Sequence, residues 1–150
     1  MSAPVTLRDL REGDFGAILD LWTAGWSRTL PDTDFAARRP WMDERLRQHL
    51  AEGAVARGME REGRLVGFVV VNPVTGYLDQ IAVAPDAWGS GLARALLDEA
   101  RRISPAGLGL HVNQNNPRAV RFYEREGFVR VGEGLNPRSG LPIWEYRWTP

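Results

Sequence analysis

The 150-residue sequence contains no cysteine and no lysine. The first absence excludes disulfides, thiolate metal sites and a cysteine acyl-enzyme, so an acyl group moved by this chain would pass directly from donor to acceptor. The second excludes a lysine Schiff base and makes all 19 basic side chains arginine. Histidine is scarce: His49 and His111 are the only two, too few and too far apart to suggest a metal centre. Net charge is missing as well, with 19 acidic residues against 19 basic, so no overall field favours nucleic acid or an anionic membrane. Long apolar runs are also absent. The longest, Leu65 to Val71, is seven residues, far short of a membrane span, and MSAPVTLRDLREGD lacks the apolar centre of a signal peptide. A cytoplasmic protein is expected.

What remains is the composition of an ordinary globule, 43% hydrophobic and 25% charged, with length for one domain over residues 1–150. Val5 and Leu7 read as a first strand. Phe15, Ile18, Leu19, Trp22 and Trp26 fall at helical spacing, and after a proline-bearing loop Met42, Leu46 and Leu50 mark a second helix. His49 lies in that helix and reads as a partly exposed surface residue. Ala54–Glu60 and Leu65–Val71 are β-type runs joined by Arg61-Glu62-Gly63-Arg64, a hairpin signal.

The stretch from Tyr77 to Ile103 organises the rest. Tyr77, Asp79, Ile81 and Val83 alternate with Leu78, Gln80 and Ala82, as in a strand with two unlike faces, and Pro85 ends the ladder. Leu92, Ala93, Leu96, Leu97, Ala100 and Ile103 then recur at helical spacing. Gly89 and Gly91 therefore sit where a strand becomes a helix N-terminus. Free backbone N–H groups and the positive end of the helix dipole make such a turn an anion site, and glycine lets a phosphate approach the backbone. A Walker loop is excluded because no lysine follows the glycines, and Arg94 stands where a dinucleotide fingerprint needs its third small residue.

The stretch resembles motif A of the GCN5-related N-acetyltransferases, (Q/R)xxGxG/A after a strand ending in V-x-P, which cradles the pyrophosphate of acetyl-coenzyme A. The matching residues are Val83, Pro85, Trp88, Gly89, Ser90, Gly91, Leu92 and Ala93, with Trp88 where the family carries Gln or Arg. In the family that position acts largely through its backbone N–H, and Arg94 is the candidate to supply the missing positive charge. Farther on, Leu108–Asn113 reads as a strand, and NNPRAVRFYEREGF as a short helix with Asn116 at its N-cap, Pro117 at its first position and Gly127 beyond its end. This segment resembles the same family's motif B through Asn116, Ala119, Val120, Phe122, Tyr123, Glu124, Gly127 and Phe128. Val129 and Val131 begin another strand, GEGLNPRSGLP reads as a long loop, and Ile143–Trp148 as the last strand.

The resemblance implies an α+β fold: one GNAT-type domain with a mixed, twisted sheet of about six to seven strands flanked by about four helices. It implies acetyl-CoA as cosubstrate and no metal, with transfer of the acetyl group to a primary amine, on a small molecule or a peptide amino terminus, through a ternary complex. A domain that keeps the fold but serves as a non-catalytic CoA-binding or regulatory module is the alternative. The implied cofactor contacts are the edge of Ile81, Ala82 and Val83 for the pantetheine, the turn from Trp88 to Arg94 for the phosphates, and Asn116. Tyr123 matches the family's general acid; a phenol near pKa 10 is protonated at neutral pH and would donate to a thiolate whose acid lies near 8.5. For the base, His111 comes first, Asp79 is the alternative, and an amine that binds already neutral needs neither. The loops bordering the family's acceptor site offer Trp26, Asp32, Asp34 and Phe35, and Asn136, Arg138 and Ser139. Acidic groups there would suit a cationic amine, and Arg138 a carboxylate. A homodimer, common in the family, is left open.

Overall fold

The computed structural model describes residues 3–137 and 140–150. Strand β1 (Thr6–Asp9) leads into helix α1 (Phe15–Thr29), and a loop containing one 3-10 turn connects to α2 (Arg39–Ala51). Strands β2 (Val55–Arg61), β3 (Arg64–Val71) and β4 (Leu78–Val83) follow, then α3 (Leu92–Ile103), β5 (Leu108–Asn113), α4 (Pro117–Arg125), β6 (Val129–Leu135) and β7 (Pro142–Trp148). Two antiparallel sheets result, one in the order β1-β2-β3-β4 and the other β5-β7-β6. The expected single mixed sheet is thus divided. Its parallel component is one bridge, Tyr77 to Gly109, closed by Gly109 N–H donating to Gly76 O at 2.9 Å.

That bridge is where the two sheets touch, and the local sequence explains why. Gly76 is buried with φ +75°, and a Cβ on it would lie 2.8 Å from Gly107 O. Only glycine admits so close a backbone approach. Beyond the pinch β4 and β5 diverge, so β4 has a ladder partner on its β3 side only.

A second irregularity sharpens the divergence. Val70 pairs with Gln80 but Val71 pairs with Leu78, leaving Asp79 as an extra residue in β4. Such a bulge reverses which face the neighbouring side chains occupy. Simple alternation predicts Leu78 opposite Ile81 and Val83; instead all three join one apolar layer, with Gln80 and Ala82 turned the other way. The layers are unequal in kind. On one face α3 packs against β3 and β4 through Leu92, Leu96, Leu97 and Ala100; on the other α1 and α2 bring Ile18, Leu19, Trp22, Met42 and Leu46. Phe68 and Val70 face the second layer, Val69 and Val71 the first, and all four are completely buried. Each contributes about 1.5–3 kcal/mol of apolar transfer, which is why this central strand reads as an unbroken apolar run.

The C-terminal sheet departs from expectation at one point. β6 continues through Gly132, Gly134 and Leu135, which pair with Glu145, Ile143 and Pro142, so the long loop shrinks to the residues between Leu135 and Pro142.

Candidate active site

The divergence of β4 from β5 opens a cleft of about 1930 Å³ through the middle of the molecule. It is lined by β4 from Asp79 to Val83, the turn at Trp88, Gly89 and Gly91, the start of α3, His111 to Asn113 of β5, and α4 from Arg118 to Tyr123. At its other end α1 supplies Trp22 and Trp26, the loop into α2 supplies Phe35, and α2 supplies Trp41.

The phosphate turn has the geometry its glycines suggest. Gly89 and Gly91 have φ of +79° and +86°, Gly91 is the N-cap of α3, and no side chain among the described residues caps that helix. The first-turn N–H groups thus remain for an external acceptor. A Cβ built on either glycine would meet nothing within 4 Å, so both face open space from which a side chain would exclude a ligand. The residues present therefore fit a pyrophosphate cradled by backbone N–H groups.

Trp88 departs from what its family position implies. Its backbone N–H is already engaged, donating to Pro85 O at 3.2 Å, and it is the indole that shapes the site. The indole N–H donates to Val83 O at 2.8 Å, tying the turn to the end of β4. Arg118 lies over the ring at 4.0 Å and Arg28 at 5.8 Å. Arg94, expected to supply positive charge, lines the cleft with a largely exposed side chain 3.7 Å from Glu126. Arg118 is a lining cation that sequence reasoning missed, because only the fold brings α4 to this tryptophan.

Asn116 caps α4 by accepting from Ala119 N–H at 3.3 Å, and it lines the cleft. About two helical turns on, Tyr123 packs between Phe122 and Phe128. It is 8% exposed yet reaches the cleft wall, and burial pushes its phenol far above the ordinary value, holding it protonated. Glu124, the next residue of the motif, accepts from the Tyr146 hydroxyl at 2.9 Å and so fastens α4 to β7.

His111 and Asp79, the two candidate bases, both line the cleft but in unlike surroundings. His111 is exposed and meets the edge of the Tyr77 ring at 5.7 Å. Asp79 is buried, its side chain 3% exposed, and its Oδ1 accepts from Arg45 at 2.6 Å and meets His49 Nε2 at 3.2 Å. Burial alone would raise its pKa, but the hydrogen bonds from His49 and Arg45 outweigh that and hold it below the usual range. A carboxylate so stabilised is a weak base. Its Oδ2 is buried and has no hydrogen-bond partner among the described residues.

His49 is partly exposed in α2, as expected, and lies outside the cleft lining, but it meets Asp79 and stacks on Tyr77 at 6.2 Å. The spacing of Arg45 and His49, four apart and beside the Met42–Leu46 stripe, was the signal that both face inward. Of the acceptor-site expectations, Trp26, Phe35 and Asn136 line the cleft, whereas Asp32 and Asp34 are exposed and outside its lining. Arg138 and Ser139 lie outside the described residues.

Comparison with known proteins agrees with this geometry. Residues 15–128 match the acetyltransferase (GNAT) family. The chain is 29% identical over 144 residues, 95% of each sequence, to the peptidyl-lysine N-acetyltransferase YiaC of Escherichia coli. It is 30% identical over 148 residues, 88% of this chain and 83% of the relative, to the spermidine N(1)-acetyltransferase of Vibrio cholerae. Among solved structures, apo YjaB from Escherichia coli superposes with a TM-score of 0.74 at 25% identity, over 97% of both chains. With both motifs in place around one cleft, the chain belongs to the GNAT family and is an acetyl-CoA-dependent N-acetyltransferase.

Proposed function

We propose that the cleft carries out direct transfer of an acetyl group from acetyl-CoA to a primary amine of a small molecule or peptide. Acetyl-CoA lies with its pyrophosphate on the N–H groups from Gly89 to Ala93, its pantetheine along the unpaired edge from Ile81 to Val83, and Asn116 beside it. Arg118, held over Trp88 on the cleft wall, adds positive charge beside the position where the family carries Gln or Arg. The observation that carries the reading is that this cradle, Tyr123 and His111 all border one open cleft. The acceptors named for the relatives, a peptidyl lysine and spermidine, are both primary amines.

In the proposed step the amine nitrogen attacks the thioester carbonyl carbon, forming the C–N bond as the C–S bond breaks. The proton lost from nitrogen passes to His111, the Tyr123 hydroxyl protonates the departing thiolate, and solvent returns a proton to the phenolate. Asp79 is assigned no base role, because its pairing with Arg45 and His49 makes it too weak a base. His111→Ala is expected to lower kcat by about 10²-fold at saturating acetyl-CoA and amine. A kcat within about twofold of wild type would take His111 out of the mechanism.

A further inference from the structure

The charge pattern of the cleft narrows the substrate. Of the seven arginines among the described lining residues, five lie on α3 and α4 and two, Arg38 and Arg45, border the acceptor end, while only Asp79 and Glu126 are acidic. Glu126 is occupied by Arg101 and Arg94 toward the α3 side. Asp79 shares its charge with Arg45 and His49. No uncommitted carboxylate is therefore available, among the described lining residues, for a second ammonium.

Arg38 stands in contrast. It is half-buried over the Phe35 ring at 5.1 Å and forms no ion pair among the described residues. A contiguous aromatic wall joins it to Asp79: Phe35 meets Trp22 at 5.7 Å, Trp22 meets Trp41 at 6.4 Å, and Arg45, the partner of Asp79, lies over Trp41 at 5.6 Å. One end of the wall has a buried carboxylate oxygen, Asp79 Oδ2, lacking a donor. The other end has a guanidinium lacking an anion, and the surface between them is apolar.

We infer that the acceptor is an amine carrying a carboxylate, with an aromatic or bulky aliphatic body between the two, as in a short peptide with a free C-terminus. The amine is drawn toward the Asp79 carboxylate, the body lies against the tryptophans and Phe35, and Arg38 takes the carboxylate as a charge-assisted pair. A polyamine matches poorly, because its second cation would lie along a wall ending in Arg38. The inference rests on the acetyltransferase reading above and assigns the substrate class of that same site.

The test measures kcat/KM by CoA release for dipeptides with phenylalanine or leucine at the second position, each as free acid and as C-terminal amide, with spermidine alongside. The free acids are expected to exceed their amides by about tenfold or more, and spermidine to rank below both. Arg38→Gln should bring the acid-to-amide ratio to about one while acetyl-CoA affinity, measured separately, is retained. Amides or spermidine used as well as the free acids, or a preference that survives Arg38→Gln, would overturn the assignment. A protein that binds acetyl-CoA but acetylates none of these peptides would also overturn it and leave the acetyltransferase reading intact, whereas failure to bind acetyl-CoA would strike at that reading itself.

Discussion

Tyr123→Phe is expected to lower kcat by about 10²- to 10³-fold while the affinity for acetyl-CoA changes by no more than about twofold. The substitution removes one oxygen and keeps the ring that packs between Phe122 and Phe128, so α4 and its Asn116 cap should be undisturbed. What disappears is a phenol that is protonated at neutral pH, at the wall of the cleft where the thiolate would leave. Measuring kcat and the acetyl-CoA dissociation constant on the same preparation separates the alternatives. Matched losses in both would show the hydroxyl to be structural, and no loss in either would assign leaving-group protonation to solvent.

The second large effect concerns stability. Asp79→Asn removes the charge that compensates Arg45, and breaking a buried ion pair costs about 3–5 kcal/mol. For a chain of this length that corresponds to a fall in Tm of roughly 6–20 °C at neutral pH. The pH dependence follows from the same pairing. The pKa of Asp79 is lower in the folded protein than in the unfolded chain, where it is about 3.9, so its stabilisation is complete above that value. It is then lost as the pH falls through the folded value. The Tm gap between wild type and Asp79→Asn should accordingly be constant near neutrality and narrow below about pH 4. A variant that melts with the wild type at pH 7 would show that the cluster contributes nothing net.

Much of the cofactor half of the site is legible in the sequence because its determinants are local. The strand, the two glycines and the helix behind them occupy one continuous stretch, and the positive φ at Gly89 and Gly91 follows from residue type. Asn116 and Pro117 announce a helix start, and the structure has them at the N-cap and first turn of α4. The acceptor half was less legible. Arg45 and His49 reach Asp79 across at least 30 positions of sequence, and Arg118 reaches Trp88 across a similar gap, so no window of neighbouring residues reports either contact. The bulge at Asp79 was hidden for another reason. Strict alternation fits Tyr77–Val83 as well as the bulged register does, and only pairing against the continuous apolar run of β3 decides between them.

The division into two sheets has the same origin. Each strand was recognisable, but the pinch depends on Gly76 meeting Gly107 across the β4–β5 connection. Side-chain pattern within a strand carries no record of where two strands stop pairing. Yet that divergence makes the cleft, exposing one edge of β4 and lining the gap with Tyr123 on one side and His111 on the other.

The most direct test of the central claim is calorimetric titration of the purified protein with acetyl-CoA, followed by measurement of CoA release on adding a primary amine. Saturable binding at one site per chain, abolished when Gly91 is replaced by valine in a protein that still folds, and release that requires the amine, are the predicted results. An absence of binding by the folded wild-type protein would mean that the Trp88 turn does not accept the cofactor, and would contradict the account at its base.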